Sequence, residues 1–546
     1  MNEPRTVSEA DISMPSRDAF RGIPVPSGSG ATLPDNSLPP ATVAESSWAA
    51  ASALRWAFSF PAMLATFLVG RVFYEGRQFV VDPDLWWHIK VGQNILATHH
   101  WPTTDPFSFT VAGQPWIACE WAGDVMLATV AHFGGVVGLD VLLMVLSSLV
   151  MLALYAFATL RSGNSKAGFV ATLVLCSLAF ASFTLRPQML GYLFLLLTLI
   201  ALERFRQGKR RAVWFLPVLS LIWINTHGSW IIGLGTIFVY WICGLKDFRL
   251  GSLEGHGWTA AERKSLSFVF LLCLAVLPLT PYGTGPTTYP FDVATKIPLG
   301  VGNVLEWQSM PFNIAGGKIF LGLLLGSIVL QMLFGFVWRL EEIALFLFGT
   351  MMACLHVRFV LIFVPFFTPL FATMLARWLP AYDRKKDLRV LNAVLMIAVM
   401  AAMVRYFPTR TAIEQVVDRD FPVHAVEYLH QHHLPGPLFN NYAFGGYLVW
   451  SNEKVFVDGR SDPFERGGAL ADYLFISHAR PGALAVLNFY GVQTCLLQRD
   501  EPLATLLAAV PQWQRVYIDD KNVLFVRNTA VSPKADLRLT TLGRRE

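Results

Sequence analysis

The residues best suited to chemistry lie between Asp82 and Trp121. They read V-D-P-D-L-W-W-H at 81–88, H-H-W-P-T-T-D-P-F at 99–107 and W-I-A-C-E-W at 116–121. Asp82 and Asp84 straddle Pro83, and His88 follows Asp84 by four positions, which on a helix sets an acid and an imidazole on one face. Such a group can deprotonate an acceptor hydroxyl or hold a divalent cation. Asp84 and Asp82 are therefore the candidate catalytic acids, and Asp82, Asp84 and His88 the candidate ligands for a cation. His88 and Glu120 are also candidates for touching substrate. Helix capping by itself accounts for one Asp of the pair and less well for two. No H-x-x-x-H or C-x-x-C pair supports a metal by spacing, so the cofactor is unknown, with a divalent cation as one option.

Further polar residues stand at the ends of apolar runs. Arg186 lies in T-L-R-P-Q and Arg358 in H-V-R beside His356. Each presents a fork of donors suited to a phosphate, or simply snorkels to the interface. W-I-N-T-H-G places Asn225 and His227 at a helix end, where a packing histidine is the commoner use. Glu306, in L-E-W-Q, is a further acid or ligand. Arg186, Asn225, His227, Glu306, His356 and Arg358 complete the candidate substrate-binding set.

Holding these groups requires a membrane scaffold. The chain has 546 residues, 54% hydrophobic and only 15% charged, outside the usual soluble range. A net charge of +5 with no basic run interleaved with aromatics argues against nucleic acid as a partner. Residues 1–48, rich in Pro, Ser and Gly, read as a disordered cytoplasmic tail. Residues 49–410 carry about eleven apolar runs able to cross a membrane, with a large first outward loop at 74–137. Gly123–Gly135 is short enough to be a separate interfacial helix. Alternate loops rich in Lys and Arg (161–166, 204–211, 246–264, 339 and 377–389) are expected on the cytoplasmic side, which places every candidate site residue on the opposite face.

Residues 411–546 have the composition of a soluble α/β domain, expected outside the membrane. H-A-V-E-Y-L-H-Q-H-H and E-P-L-A-T-L-L-A-A-V read as helices, L-F-N-N and V-F-V-D-G-R as strands, and the end as a hairpin turning at Asp519–Asn522. Asp458 and Arg460 suggest a structural ion pair, and Tyr442, Phe444, Tyr447 and Trp450 a face that could bind carbohydrate. Of six scattered cysteines, Cys119 and Cys495 are the pair that topology would allow to bridge.

An outward first loop with an acid pair, many membrane helices and a C-terminal extracytoplasmic domain resemble the GT-C superfamily of membrane glycosyltransferases. That superfamily includes protein O-mannosyltransferases, lipid A aminoarabinose transferases and oligosaccharyltransferase catalytic subunits. D-P-D-L-W-W-H, P-T-T-D-P-F-S-F-T, R-P-Q, W-I-N-T-H-G and the G-G-Y-L-V-W with V-F-V-D-G-R ending are similar to an uncharacterised bacterial branch of it. The resemblance implies a multi-pass protein of the bacterial inner membrane. It would move a sugar from a polyprenyl-phosphate carrier to a lipid, glycan or protein acceptor on the outer face. Asp84 or Asp82 would match the first-loop Asp that activates the acceptor or binds a metal. Better-known members follow that Asp directly with Glu, whereas Pro83 intervenes here. The competing classes are a transporter or flippase of lipid-linked glycans, which calls for internal repeats and ionisable groups at the bilayer midplane, and a non-catalytic envelope assembly protein.

Overall fold

The computed structural model describes residues 56–76, 82–179 and 183–528. The expected tail 1–48 and the end of the C-terminal segment from 529 lie outside the described residues.

Each of the apolar runs contains a helix. The first is α1 (Phe60–Gly76). The first loop then forms α2 (Pro83–Thr98), followed by α3 (Trp121–Ser162), α4 (Ser165–Ala179), α5 (Gln188–Arg206), α6 (Leu216–Ile224), α7 (Trp230–Cys243) and α8 (Ala260–Ala275). Two short helices, α9 (Gly285–Lys296) and α10 (Pro298–Asn303), fold the long polar loop. After it come α11 (Ala315–Phe334), α12 (Leu340–Leu355), α13 (Val360–Leu375) and α14 (Arg389–Arg405). The chain is a mostly helical membrane protein. Among the described residues four helical stretches, Trp121–Ser162, Gln188–Arg206, Ala315–Phe334 and Val357–Leu375, are long and apolar enough to cross a membrane alone. The bent pair α14 and α15 (Arg410–Asp420) makes a fifth if it is one span. The other runs form helices shorter than the roughly 20 residues a bilayer core calls for. Local breakers set those lengths: Gly228 closes in after α6, and Pro278 and Pro281 follow α8.

The segment Gly123–Gly135 belongs to a short helix of its own: α3 is two helices that meet at a kink at Gly135, whose φ of 55° and ψ of −150° leave helical space. α3 packs against α2, and the approach is close because Gly92 lies on the Asp124 carbonyl, where any Cβ would collide with backbone. At the end of the bundle away from α2, three ion pairs tie helices together: Arg161 with Glu342, Arg206 with Glu341 at 2.9 Å and Arg339 with Glu203 at 2.6 Å. A small sheet of β1 (Phe248–Leu250), β2 (Leu253–Gly255) and β3 (Trp338–Arg339) lies beside them.

Beyond α15, the chain adds α16 (Val423–Gln431), β4 (Leu438–Asn440), α17 (Gly445–Trp450), α18 (Ser461–Arg466), α19 (Ala469–Ser477) and α20 (Ala483–Phe489). It ends with β5 (Thr494–Gln498), α21 (Pro502–Ala509), β6 (Trp513–Ile518) and β7 (Asn522–Arg527). The strands form a mixed sheet in the order β4-β5-β7-β6, with β4 parallel to β5 and the rest antiparallel. Two expectations for this region change. V-F-V-D-G-R is not a strand of the sheet: the Asn440 side-chain amide accepts from Phe456 N–H (2.8 Å) and donates to Val457 C=O (2.9 Å), taking the place of a neighbouring strand. The aromatic face is a packed core. Trp86 of α2 sits 5.2 Å from Tyr447, 4.9 Å from Trp450 and 5.3 Å from Phe421, ring centre to ring centre, because one-turn helix spacing turns Tyr447 and Trp450 toward α2. All six cysteines are free, Cys119 and Cys495 among them.

Candidate functional site

The site grows from the start of α2. Pro83 takes the first helical position, where a missing N–H costs nothing, and Asp82 is the N-cap, its Oδ1 accepting from Asp84 N–H at 2.9 Å. The other Asp82 oxygen meets Arg186 Nε. Arg186, in the turn before α5, also reaches Asp84 Oδ2 with Nη1 (2.9 Å) and Glu306 Oε1 with Nη2 (3.2 Å). The second Glu306 oxygen lies 3.9 Å from Arg358 Nη1. Arg358 is stacked over the Trp307 ring at 4.3 Å, and His356 Nδ1 lies 2.5 Å from the Trp307 carbonyl. Five predicted residues thus form one cluster of three carboxylates and two guanidinium groups.

A second group adjoins it. Ser229 N–H donates to His227 Nδ1 (3.0 Å), so the neutral ring carries its hydrogen on Nε2 and points it at Glu120 Oε1, 3.3 Å away. The other Glu120 oxygen lies 3.8 Å from His88 Nε2, and His88 Nδ1 is 2.6 Å from Asp124 Oδ1. His88 therefore pairs with Asp124 and Glu120 rather than with Asp84, and at 3% exposure it is buried behind Glu120. The cause is the tight α2–α3 contact, which turns that face of α2 toward Asp124. The Asn225 side chain is committed to partners within the protein. Its Oδ1 accepts from Trp121 Nε1 (2.8 Å) and its two amide hydrogens go to the carbonyls of Leu221 (2.9 Å) and Leu279 (3.1 Å), so it ties a helix end to its neighbours. The proposed cation ligands are not assembled: Asp82 and Asp84 face Arg186, His88 faces Asp124, and among the described residues no three His, Cys, Asp or Glu side chains are grouped to hold a metal.

Burial sets the protonation of these groups. It pushes the Asp84 carboxyl up to about 6, with Arg186 opposing and Asp82 and Glu306 adding to the rise. It pushes Glu120 up to about 8 against the pull of Arg358 and Arg186. His227 is driven down to about 3 and His88 well below its ordinary value, by burial first and by the nearby arginines second. Both imidazoles are neutral at pH 7, and Asp84 and Glu120 exchange protons near neutrality.

The C-terminal segment supplies one wall. Gly459 lies directly on Asp84, where a Cβ would collide with Oδ1. Tyr442 Oη and Ser461 Oγ are 2.8 Å apart, and the charge of Asp84 adds to burial in raising the Tyr442 phenol. The wall is locked by Arg460, which grips Asp458 with Nε (2.8 Å) and Nη2 (2.6 Å) and Asp105 of the first loop with Nη1 (2.7 Å). The expected Asp458–Arg460 pair is therefore one half of a buried clamp between two distant parts of the chain. The sequence reading missed Asp124, Ser229 and Gly459. Asp124 was detectable as an acid four residues after Glu120 in an otherwise apolar run, whereas nothing local marks Gly459 as Asp84's neighbour.

This arrangement can do two things. It can bind an anion at paired guanidinium groups, and it can accept a proton on an adjacent carboxylate. No protein-family model matches the chain, and no curated protein matches it. Among solved structures it is similar to the oligosaccharyltransferase of Archaeoglobus fulgidus tethered to an acceptor peptide, at 11% identity over 81% of this chain and 70% of that one, with a TM-score of 0.46. It is also similar to ArnT of Cupriavidus metallidurans. The form bound to undecaprenyl phosphate aligns at 13% identity over 85% of this chain and 97% of that one (TM-score 0.44). The apo form aligns at 14% identity over 89% and 99% (TM-score 0.46).

Proposed function

We propose that the chain is a membrane glycosyltransferase that moves a sugar from a polyprenyl-phosphate carrier to a glycan, lipid or protein acceptor on the outer face of the inner membrane. The observation that carries this reading is the adjacency of Asp84 and the Arg186–Arg358 pair within one cluster. In the proposed reaction the acceptor oxygen forms a bond to the anomeric carbon while the bond from that carbon to the carrier phosphate oxygen breaks. Negative charge grows on the leaving phosphate, and Arg186 and Arg358 are the donors that accept it. The acceptor proton passes to Asp84, whose carboxyl, raised to about 6, is ionised at neutral pH yet basic enough to take it. Asp82 fixes α2 and orients Arg186. Glu120 sits as a second group able to hold a proton, backed by His227 and His88. No step is assigned to a metal, since the candidate ligands face Arg186 and Asp124. Placement on the outer face rests on the run of basic residues in the alternate loops.

The test is transfer of labelled sugar from a panel of polyprenyl-phosphate sugars in membranes, comparing the intact protein with Asp84→Asn. Transfer that is lost by a factor of about 100 or more in the variant is the expected result. Equal transfer by both removes Asp84 from the chemistry, and no transfer from any donor removes the enzyme reading.

A further inference from the structure

In the cluster the three carboxylates of Asp82, Asp84 and Glu306 face only two guanidinium groups, an excess of one negative charge when all are ionised. A phosphate approaching the arginines in this state meets net repulsion. The three acids are not equivalent. Asp82 is 1% exposed and holds the helix N-terminus; Asp84 is 17% exposed and wedged against Gly459. Glu306 is 38% exposed, accepts no hydrogen bond from backbone among the described residues, and places one oxygen toward each arginine. Its carboxylate lies where a phosphate would touch both.

We propose that Glu306 is an internal placeholder, a carboxylate that occupies the anion site between Arg186 and Arg358 and is displaced by the phosphate of the lipid carrier. This rests on the carrier reading given above. The surroundings allow displacement by side-chain rotation alone. The backbone around Glu306 is anchored on both sides: Val357 N–H donates to Gln308 C=O (2.9 Å), Met310 N–H to Cys354 C=O (3.0 Å), and upstream the Glu465 carboxylate accepts from the Leu299 and Gly300 N–H groups at 2.7 and 2.8 Å. Arg358 keeps its place over Trp307 after Glu306 leaves. Arg186 keeps Asp82 and Asp84. With Glu306 turned to solvent, the remaining two acids and two guanidinium groups are balanced, and the arriving phosphate no longer meets an excess of like charge. Until the carrier arrives, Glu306 gives the partly buried Arg358 its acidic partner among the described residues.

The experiment is equilibrium binding of undecaprenyl phosphate to the purified full-length protein in lipid nanodiscs, for the unmodified protein, Glu306→Gln, Glu306→Ala and Arg358→Gln. Both Glu306 variants are expected to bind about three- to tenfold tighter, the factor corresponding to two partly exposed ion pairs that no longer compete. Arg358→Gln is expected to bind more weakly. Inorganic phosphate, at its own lower affinity, should show the same gain, because displacement concerns the headgroup. If Arg358→Gln weakens binding while both Glu306 variants are unchanged or weaker, Glu306 is a positioning residue and the placeholder is refuted with the carrier reading intact. If Arg358→Gln binds as well as the unmodified protein, the arginine pair is not the phosphate site and both readings fall.

Discussion

Replacing Arg460 by Met tests how the two ends of the chain are joined at the site. The Arg460 side chain is 1% exposed and its partners Asp105 and Asp458 are 0% exposed. Its guanidinium also lies 4.9 Å from the Phe107 ring centre and 4.7 Å from that of Trp116. Met fills much of the volume but leaves two carboxylates without a cation, and breaking a buried pair in this way costs about 3–5 kcal/mol. For a region of this size that corresponds to a fall of order 10 °C in the unfolding midpoint. The loss should depend on pH. Burial raises the Asp105 carboxyl, but Arg460 and the Ser108 hydrogen bonds outweigh it, so the folded protein holds Asp105 below its ordinary value. Its stabilisation is therefore complete above the unfolded value of about 3.9 and is lost as pH falls through the lower folded value. Without Arg460, only the Ser108 hydrogen bonds still oppose burial and the folded carboxyl rises, so the variant should gain ground on the unmodified protein as pH drops from 8 to 5. Thermal unfolding in detergent at the two pH values, with Arg460→Met/Asp105→Asn/Asp458→Asn as the charge-free control, provides the readout. A midpoint for Arg460→Met within about 1 °C of the unmodified protein, with no pH dependence, would refute the clamp.

Two further outcomes follow from the same geometry. Gly459→Ala should reduce sugar transfer by about tenfold to a hundredfold while costing roughly 1–3 kcal/mol of stability, since its methyl group must displace the Asp84 carboxylate; unchanged turnover would show that Asp84 is free to move or is not used. The rate of transfer should rise as pH passes through about 6, where Asp84, facing Arg186, Asp82, Glu306 and Tyr442, loses its proton. Glu306→Gln removes one of the negative neighbours that raise that value, so the midpoint of the profile should move to lower pH; a shift upward, or none, contradicts the assignment.

Much of the site was readable because membrane proteins carry few charges without a use. Asp82 and Asp84 stand out as a pair in the first loop, Glu306 as an acid in the long outward loop, and Arg186 and Arg358 as cations at the ends of apolar runs, and the five meet in one cluster. Helix spacing alone misassigned His88. The i, i+4 rule set it beside Asp84, but the Gly92 contact brings α3 in close and gives the imidazole a nearer acid in Asp124. An amide at a helix end looks the same in sequence whether it is open to a ligand or, like Asn225, bonded to two carbonyls and an indole. V-F-V-D-G-R has the composition of a strand, yet Asn440 satisfies its backbone from the side and leaves Gly459 free to close on Asp84. Contacts between residues more than 300 positions apart leave no local signature. The lengths of the shorter membrane helices were not legible for a similar reason, as apolar composition continues past the prolines and glycines that end them.

The most direct test of the central claim is a structure of the protein with polyprenyl phosphate bound in a lipid nanodisc. The account predicts the phosphate between Arg186 and Arg358, within hydrogen-bonding distance of both, with the Glu306 side chain turned away and Asp84 beside the phosphate. A phosphate bound at the opposite end of the bundle, near Arg161, Arg206 and Arg339, or an undisturbed Glu306 bridging both arginines beneath bound lipid, would contradict it.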